Sequence, residues 1–198
     1  MNPSAWRGLK YPDSELVGLL YRFARPGRDV PAGAAALDVA CGPGRHVRLL
    51  QELGYDALGL DADADMVATA RANGVPVEHV DAAAYPPVAP PALVVCWGFM
   101  MLVPQGRALI ASWRPQLVIA DWRTPGNDCY RWPINQRQPD GGLRLSRPDH
   151  TLDGQVYYFH TAETAQLPGY ERVWCQTLTK LAGDERHEWL QTVHRRTD

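Results

Sequence analysis

The residues of this chain whose types and spacing can do chemistry together are Asp38-Val39-Ala40-Cys41-Gly42-Pro43-Gly44 and, further on, Asp61. A strand, a glycine turn and a helix bare backbone N–H groups and a surface without Cβ atoms, onto which a ligand can press. A carboxylate about 20 residues beyond such a turn accepts hydrogen bonds from ribose hydroxyls. Together they imply a nucleoside-type ligand.

Two ligand classes compete for that turn. A dinucleotide fingerprint wants a third glycine, for close packing of helix on strand, and the position is occupied by Val47. A pyrophosphate also leans on open amides at the helix start, and Pro43 removes one donor there.

Elements must position these groups. Asp13-Ser14 before ELVGLLYRFA predicts a capped amphipathic helix ending near Pro26. AALDVAC, ALGLD, VPVEHVD, ALVVCWG and QLVIADW are short apolar runs that fit buried strands. RHVRLLQELG, ADADMVATARANG and QGRALIASW between them fit helices, the first two stopped by Gly54 and Gly74. Strand alternating with helix predicts an α/β doubly wound, mostly parallel sheet with helices on both faces. Residues 123–150 carry four prolines and the Gly141-Gly142 pair, so a long loop or small lid, with at most one hairpin, is expected there. TAETAQL is expected to form a short helix capped by Thr161. ERVWCQTLTKL and HEWLQTVHRR around Ala182-Gly183-Asp184 predict a final antiparallel hairpin, completing seven strands. The division is one domain: 1–33 an N-terminal helix and cap, 34–122 the ligand-binding core, 123–160 a substrate-side insertion, 161–198 the last helix and strand pair.

Composition excludes several alternatives. With 45 % hydrophobic and 21 % charged residues the chain can build a core. A net charge of −2 gives no global field for nucleic acid or anionic membrane. Cys41, Cys96, Cys129 and Cys175 form no C-x-x-C pair, so neither a zinc ribbon nor a redox motif is expected, and no metal site. No apolar run approaches the roughly 20 residues that span a bilayer. The start lacks a signal-peptide pattern, so a cytoplasmic protein is expected.

The stretch from Asp38 to Gly44 resembles motif I of class I S-adenosylmethionine-dependent methyltransferases, with Ala40 in place of its first glycine. Asp61 stands where that family places its ribose-binding acid. Asp61-Ala62-Asp63-Ala64-Asp65-Met66 resembles the D-x-S-x-x-M segment that follows, and Asp81 resembles the acid that meets the adenine amino group. YPDSELVGLLYRF is similar to the N-terminal helix of small bacterial members acting on metabolites, and FHTAETAQL with GYERV to the last helix and strands. The resemblance implies S-adenosylmethionine as cofactor. It implies a cofactor site of Asp38, Ala40, Cys41, Gly42, Gly44 and Asp61, joined by Ala62, Met66, Asp81, Ala82 and Trp97.

A sulfonium methyl is already activated, so orientation matters most and a base is needed only for a protonated acceptor. Candidates are His150, His160, Tyr130 and Asp121, the last at the end of the fifth strand. His46 is expected on a solvated helix face. Arg123, Arg131, Arg137, Arg144 and Arg147, interleaved with Asp121, Asp128, Asp140 and Asp149, read either as a solvated mixed-charge loop or as a clamp for an anionic acceptor. Trp97, Phe99 and Met100 read equally as core and as ligand wall, and Trp6 and Tyr11 as packing or as a cover. Cys96-Trp97-Gly98-Phe99 lacks the pattern of amino-methylating nucleic-acid enzymes, and Cys96 follows Val95 rather than the proline of a cytosine-C5 nucleophile. The expected acceptor is a small molecule, methylated at oxygen or nitrogen. An NAD-dependent oxidoreductase, a nucleotide- or DNA-modifying methyltransferase and a non-catalytic partner protein are the alternatives. Monomer and homodimer stay equally open.

Overall fold

A computed structural model describes residues 11–148, 150 and 152–197. Helix α1 (Ser14–Phe23) starts at Asp13, whose Oδ1 accepts the Glu15 amide at 3.1 Å. It buries Leu16, Leu19 and Leu20, spaced as one face of a helix. Then come β1 (Ala35–Val39), α2 (Arg45–Glu52), β2 (Asp56–Asp61), α3 (Ala64–Ala72) and β3 (Val77–His79). After a proline-rich link follow β4 (Leu93–Cys96), α4 (Gly106–Ser112) and β5 (Leu117–Arg123). The third strand is shorter than the apolar run predicts. Pro76 has no N–H for the ladder, and Asp81 already turns the chain by accepting the Ala83 amide at 2.9 Å.

Seven strands form one sheet in the order β3-β2-β1-β4-β5-β10-β9. The first five are parallel, and β10 (Glu185–Arg196) runs antiparallel to both β5 and β9 (Tyr170–Ala182). The order reverses between β1 and β4, which opens a crevice outside their carboxyl ends. All seven residues of β5 are buried, as a central strand covered on both faces requires. The hairpin turn is Gly183-Asp184, with Gly183 at φ 62°.

One core packs α1, α2 and α3 on the sheet through Leu16, Leu20, Leu50, Val67, Val95 and Ile119. The other covers the opposite face with Val94, Ile110, Val118, Trp122 and Leu167. Helix α2 has only eight residues, too short to stand alone. Its fully buried Leu50 contributes about 1.5–3 kcal/mol of burial free energy.

Residues 123–160 are more ordered than a loop. A three-stranded sheet of β6 (Gln136–Arg137), β7 (Leu143–Arg144) and β8 (Val156–Tyr157) packs its own cluster of Leu143, Leu145, Leu152 and Tyr157 against Met101 and Cys129. Thr161–Leu167 is not a helix. The Ala165 amide closes one turn on the Thr161 carbonyl at 2.9 Å, and Pro168-Gly169 ends it before a second can form.

Candidate functional site

The turn after β1 is built by backbone that side chains rarely tolerate. Ala40, Gly42 and Gly44 have φ of 58°, 56° and 83°. A Cβ on Gly44 would stand 2.6 Å from Val75 Cγ1, while one on Gly42 would meet nothing within 4 Å. Gly44 therefore seats the helix, and Gly42 faces open space. Ala40 carries the left-handed backbone at the position where motif I has glycine. Close approach of α2 to the sheet, for which Val47 stands in place of a third glycine, is made possible from the strand side. A Cβ on Gly59 would lie 2.6 Å from Cys41 Sγ and 3.0 Å from Val47 Cγ2.

Asp61 ends β2 and closes on this turn. Its Oδ2 accepts the Gly42 amide at 2.7 Å and its Oδ1 accepts the Asp63 amide at 2.8 Å. Each oxygen keeps a second lone pair, so the carboxylate can still receive two hydroxyls. Asp63 caps α3, accepting the amides of Asp65 and Met66. Ala62 is exposed beside it, and Met66 is buried at the start of α3. Cys41 is buried, and burial first and Asp38 second push its thiol far above the ordinary value. Asp81 is exposed and caps the turn at buried Ala82.

A second group gathers on the α1–α2 face: Asp13, Asp38, Arg45, His46 and Asp121. Asp38 is 1 % exposed, and neither carboxylate oxygen has a hydrogen-bond partner among the described residues. Burial raises its pKa to about 8; Arg45 pulls it down and Asp61 pushes it up. Arg45 is itself lowered by burial and held up by Asp13, Asp38 and Asp121, and its Nη1 donates to the Tyr11 carbonyl at 3.0 Å. Tyr11 is exposed; Trp6 lies outside the described residues.

His46 departs from the sequence expectation, for it is buried rather than solvated. Its Nε2 accepts the Asp13 amide at 3.4 Å, which places the proton on Nδ1, 3.9 Å from Asp38 Oδ2. Burial, then Arg45, lowers its pKa to about 3, so the ring is neutral. The burial comes from the start of α1, far away in sequence and invisible to helix periodicity.

Asp121 is buried at the end of β5, and its Oδ1 accepts the Gly98 amide at 2.5 Å. Burial raises its pKa to about 7, with Gly98 opposing and Asp13 assisting. Trp97, half-buried, packs against the α1–α2 core, whereas Phe99 and Met100 belong to the opposite core. The other base candidates are placed differently. His150 is pinned at both nitrogens, Nε2 against Glu185 Oε2 at 3.1 Å and Nδ1 accepting the Leu152 amide at 3.0 Å. Tyr130 accepts Arg137 Nη2 at 3.1 Å. His160 lies edge-on to Trp122, centroids 4.9 Å apart, and burial lowers it to about 4. Of the four, Asp121 is the one that the fold brings to Asp38 and Arg45.

Arg131, Arg137, Arg144 and Arg147 are exposed, as a mixed-charge loop predicts; Arg123 is buried because β5 runs on to include it. Asp149 lies outside the described residues. Among the described residues no group of three or more His, Cys, Asp or Glu is arranged to hold a metal ion. No helix among them is long and apolar enough to cross a membrane.

Comparison with known proteins bears on this geometry. Residues 36–117 match the family model "Methyltransferase domain". No curated protein matches the sequence. Solved structures match along nearly the whole chain. An S-adenosylmethionine-dependent methyltransferase from Mesorhizobium loti superposes with TM-score 0.67 at 18 % identity, covering 96 % of this chain and 100 % of that one. One from Methanosarcina mazei gives 0.68 at 12 % identity, covering 94 % and 98 %. The 1,6-didemethyltoxoflavin-N1-methyltransferase of Burkholderia thailandensis, with its substrate and S-adenosylhomocysteine bound, gives 0.60 at 14 % identity, covering 92 % and 76 %. Residues 36–117 are thus similar to a methyltransferase domain, and the chain has the Rossmann-like α/β fold that those solved methyltransferases share.

Proposed function

We propose that the protein transfers the methyl group of S-adenosylmethionine to an oxygen or nitrogen of a small molecule. The observation that carries this reading is the pair of acids around one turn. Asp61 is tied to the Gly42 amide with lone pairs to spare, and Asp38 is buried with neither oxygen partnered among the described residues. A buried carboxyl group without a partner is costly in either protonation state and calls for a donor from outside the chain. The fold's cofactor supplies one at its ammonium, and two more at its ribose. The residues present therefore fit it. Asp38 receives the ammonium, Gly42 leaves room for the chain beside it, Asp61 receives the ribose hydroxyls, and Met66, Ala82 and Asp81 border the adenine.

When bound, the cofactor supplies a methyl group already activated by its sulfonium. The protein's own part is to orient and to move one proton. Trp97, two residues beyond the Val95 that pairs with Asp38, packs on the same core at the carboxyl end of the sheet and shields the reacting atoms from water. Asp121, held by the Gly98 amide at Oδ1, takes the acceptor's proton on Oδ2. Its pKa of about 7 suits that task near neutral pH. The didemethyltoxoflavin enzyme, a small-molecule methyltransferase of the same fold, supports a small acceptor.

Differential scanning fluorimetry tests the cofactor. S-adenosylhomocysteine raises the melting temperature by mass action and NADH does not. A rise with NADH alone contradicts the proposal.

A further inference from the structure

Arg123 is the one buried arginine side chain in the described chain that belongs to no ion pair. It is 9 % exposed. Its Nη1 donates to Cys129 Sγ at 3.4 Å, its Cζ lies 5.0 Å from the centre of the Tyr157 ring, and its Nε is buried with no acceptor. The Tyr157 hydroxyl is likewise buried, with no partner among the described residues. Arg28, Arg147 and Arg186, by contrast, lie near the surface and pair with Asp29, Glu185 and Glu188. A thiol and a ring face are poor compensation for a desolvated guanidinium, and Asp121, which Arg123 pulls down, acts on it only through space. Nothing in the packing needs a cation here, since Cys129, Tyr157 and the neighbouring Trp189 would accept an apolar residue.

The position gives the cation a use. Arg123 and Asp121 are two residues apart on β5, so both point to the α1–α2 face and stand roughly 6–7 Å apart along the strand. Asp38 lies deeper, level with Val95 and so with Ile119, two residues before Asp121. Moving outward, the face thus presents Asp38, then Asp121, then Arg123, where the small sheet closes over it through Tyr157. We infer that Arg123, with the Tyr157 hydroxyl, receives an oxyanion of the methyl acceptor, a carboxylate or a phosphate, and so sets the distance of the nucleophile from Asp121. Guanidinium and oxyanion match as a planar fork, and Nη1 is already spent on Cys129, so the Nε edge is the one that binds. The acceptor is then a small acid whose hydroxyl or amine lies several ångströms from its anionic group.

This inference rests on reading the carboxyl edge as a methyl-transfer site, and the test separates the two. Protein saturated with S-adenosylhomocysteine is melted in rising sodium acetate or sodium phosphate, with sodium chloride holding ionic strength constant. The wild type gains melting temperature with acetate, with phosphate or with both. Acetate alone indicates a carboxylate acceptor and phosphate alone a phosphorylated one. Arg123→Met removes the charge and keeps the bulk. It binds S-adenosylhomocysteine as the wild type does, loses no stability without the anion, and gains nothing with it. Should that variant fail to fold, Arg123→Lys and Tyr157→Phe carry the test, each weakening the anion response at least fivefold. A wild type indifferent to both anions overturns the inference, as does a response kept in Arg123→Met or, where that variant does not fold, in both Arg123→Lys and Tyr157→Phe. Loss of S-adenosylhomocysteine binding in the wild type overturns the cofactor reading instead.

Discussion

Asp61 Oδ2 accepts the amide of Gly42 at 2.7 Å, so the end of the second strand is stapled to the turn that follows the first. One carboxylate thereby fixes the loop that must approach the ligand and presents its remaining lone pairs to it. The acid at this position shapes the site as well as contacting what enters it.

Asp38 makes cofactor binding depend on pH. Its pKa of about 8 in the free protein means that it carries a proton at neutral pH, and an ammonium beside it drives that proton off. Affinity for S-adenosylhomocysteine therefore rises between pH 6 and 8, by up to about tenfold per unit. Calorimetry in buffers of different ionisation enthalpy registers proton release on binding. Asp38→Asn binds weakly and with a flat profile.

Asp38 and Asp121 act on stability with a definite sign. Asp38 and Asp121 keep protons up to about pH 8 and 7, whereas the unfolded chain loses them near 4. The folded state binds more protons in that window, so these groups make stability fall as pH rises through it. His46 acts oppositely, but only between about pH 3 and 6.5. Thermal melts of the free protein decline from pH 6.5 to 8, and Asp38→Asn removes much of the decline.

Asp121→Asn separates binding from chemistry. It keeps S-adenosylhomocysteine affinity and lowers kcat by about 10²–10⁴, the ordinary worth of a positioned base. In the wild type kcat rises with pH through about 7, the value at which Asp121 loses its proton. Stopped assays of methyl transfer across pH 5.5–9 read both effects.

Ala40→Gly runs against the usual direction. Glycine replacing alanine in regular structure costs about 0.5–1 kcal/mol. At φ 58° the alanine is strained by about 1–2 kcal/mol, so the variant is neutral or gains up to about 1 kcal/mol in urea melts.

Leu145→Ala probes the small sheet. Leu145 is fully buried in that sheet's own cluster. Its truncation costs about 2–5 kcal/mol of local packing. Acceptor KM rises while S-adenosylhomocysteine affinity holds, because the cofactor turn lies outside the cluster.

How much of this was legible follows from how local the causes are. The turn from Asp38 to Gly44, the strand ending at Asp61 and the hairpin at Gly183 are written in contiguous residues whose backbone needs admit few types. His46 was misread because α1, whose first residues bury it, lies 33 positions away. Residues 161–167 carried helical propensity and a cap, but Pro168 left room for a single turn. The three small strands hold two residues each, below any period that a sequence can display. Asp121 already stands at the end of the expected fifth strand, whereas Arg123 reads as one more charge of a mixed stretch until β5 runs on to include and bury it.

The account turns on Asp61 holding both the Gly42 turn and the ribose. Isothermal titration of S-adenosylhomocysteine into wild type and Asp61→Ala, each shown folded by circular dichroism, tests this most directly. The account predicts binding in the wild type and at least a hundredfold loss in the variant. Equal affinity in the two, with the fold intact, contradicts it.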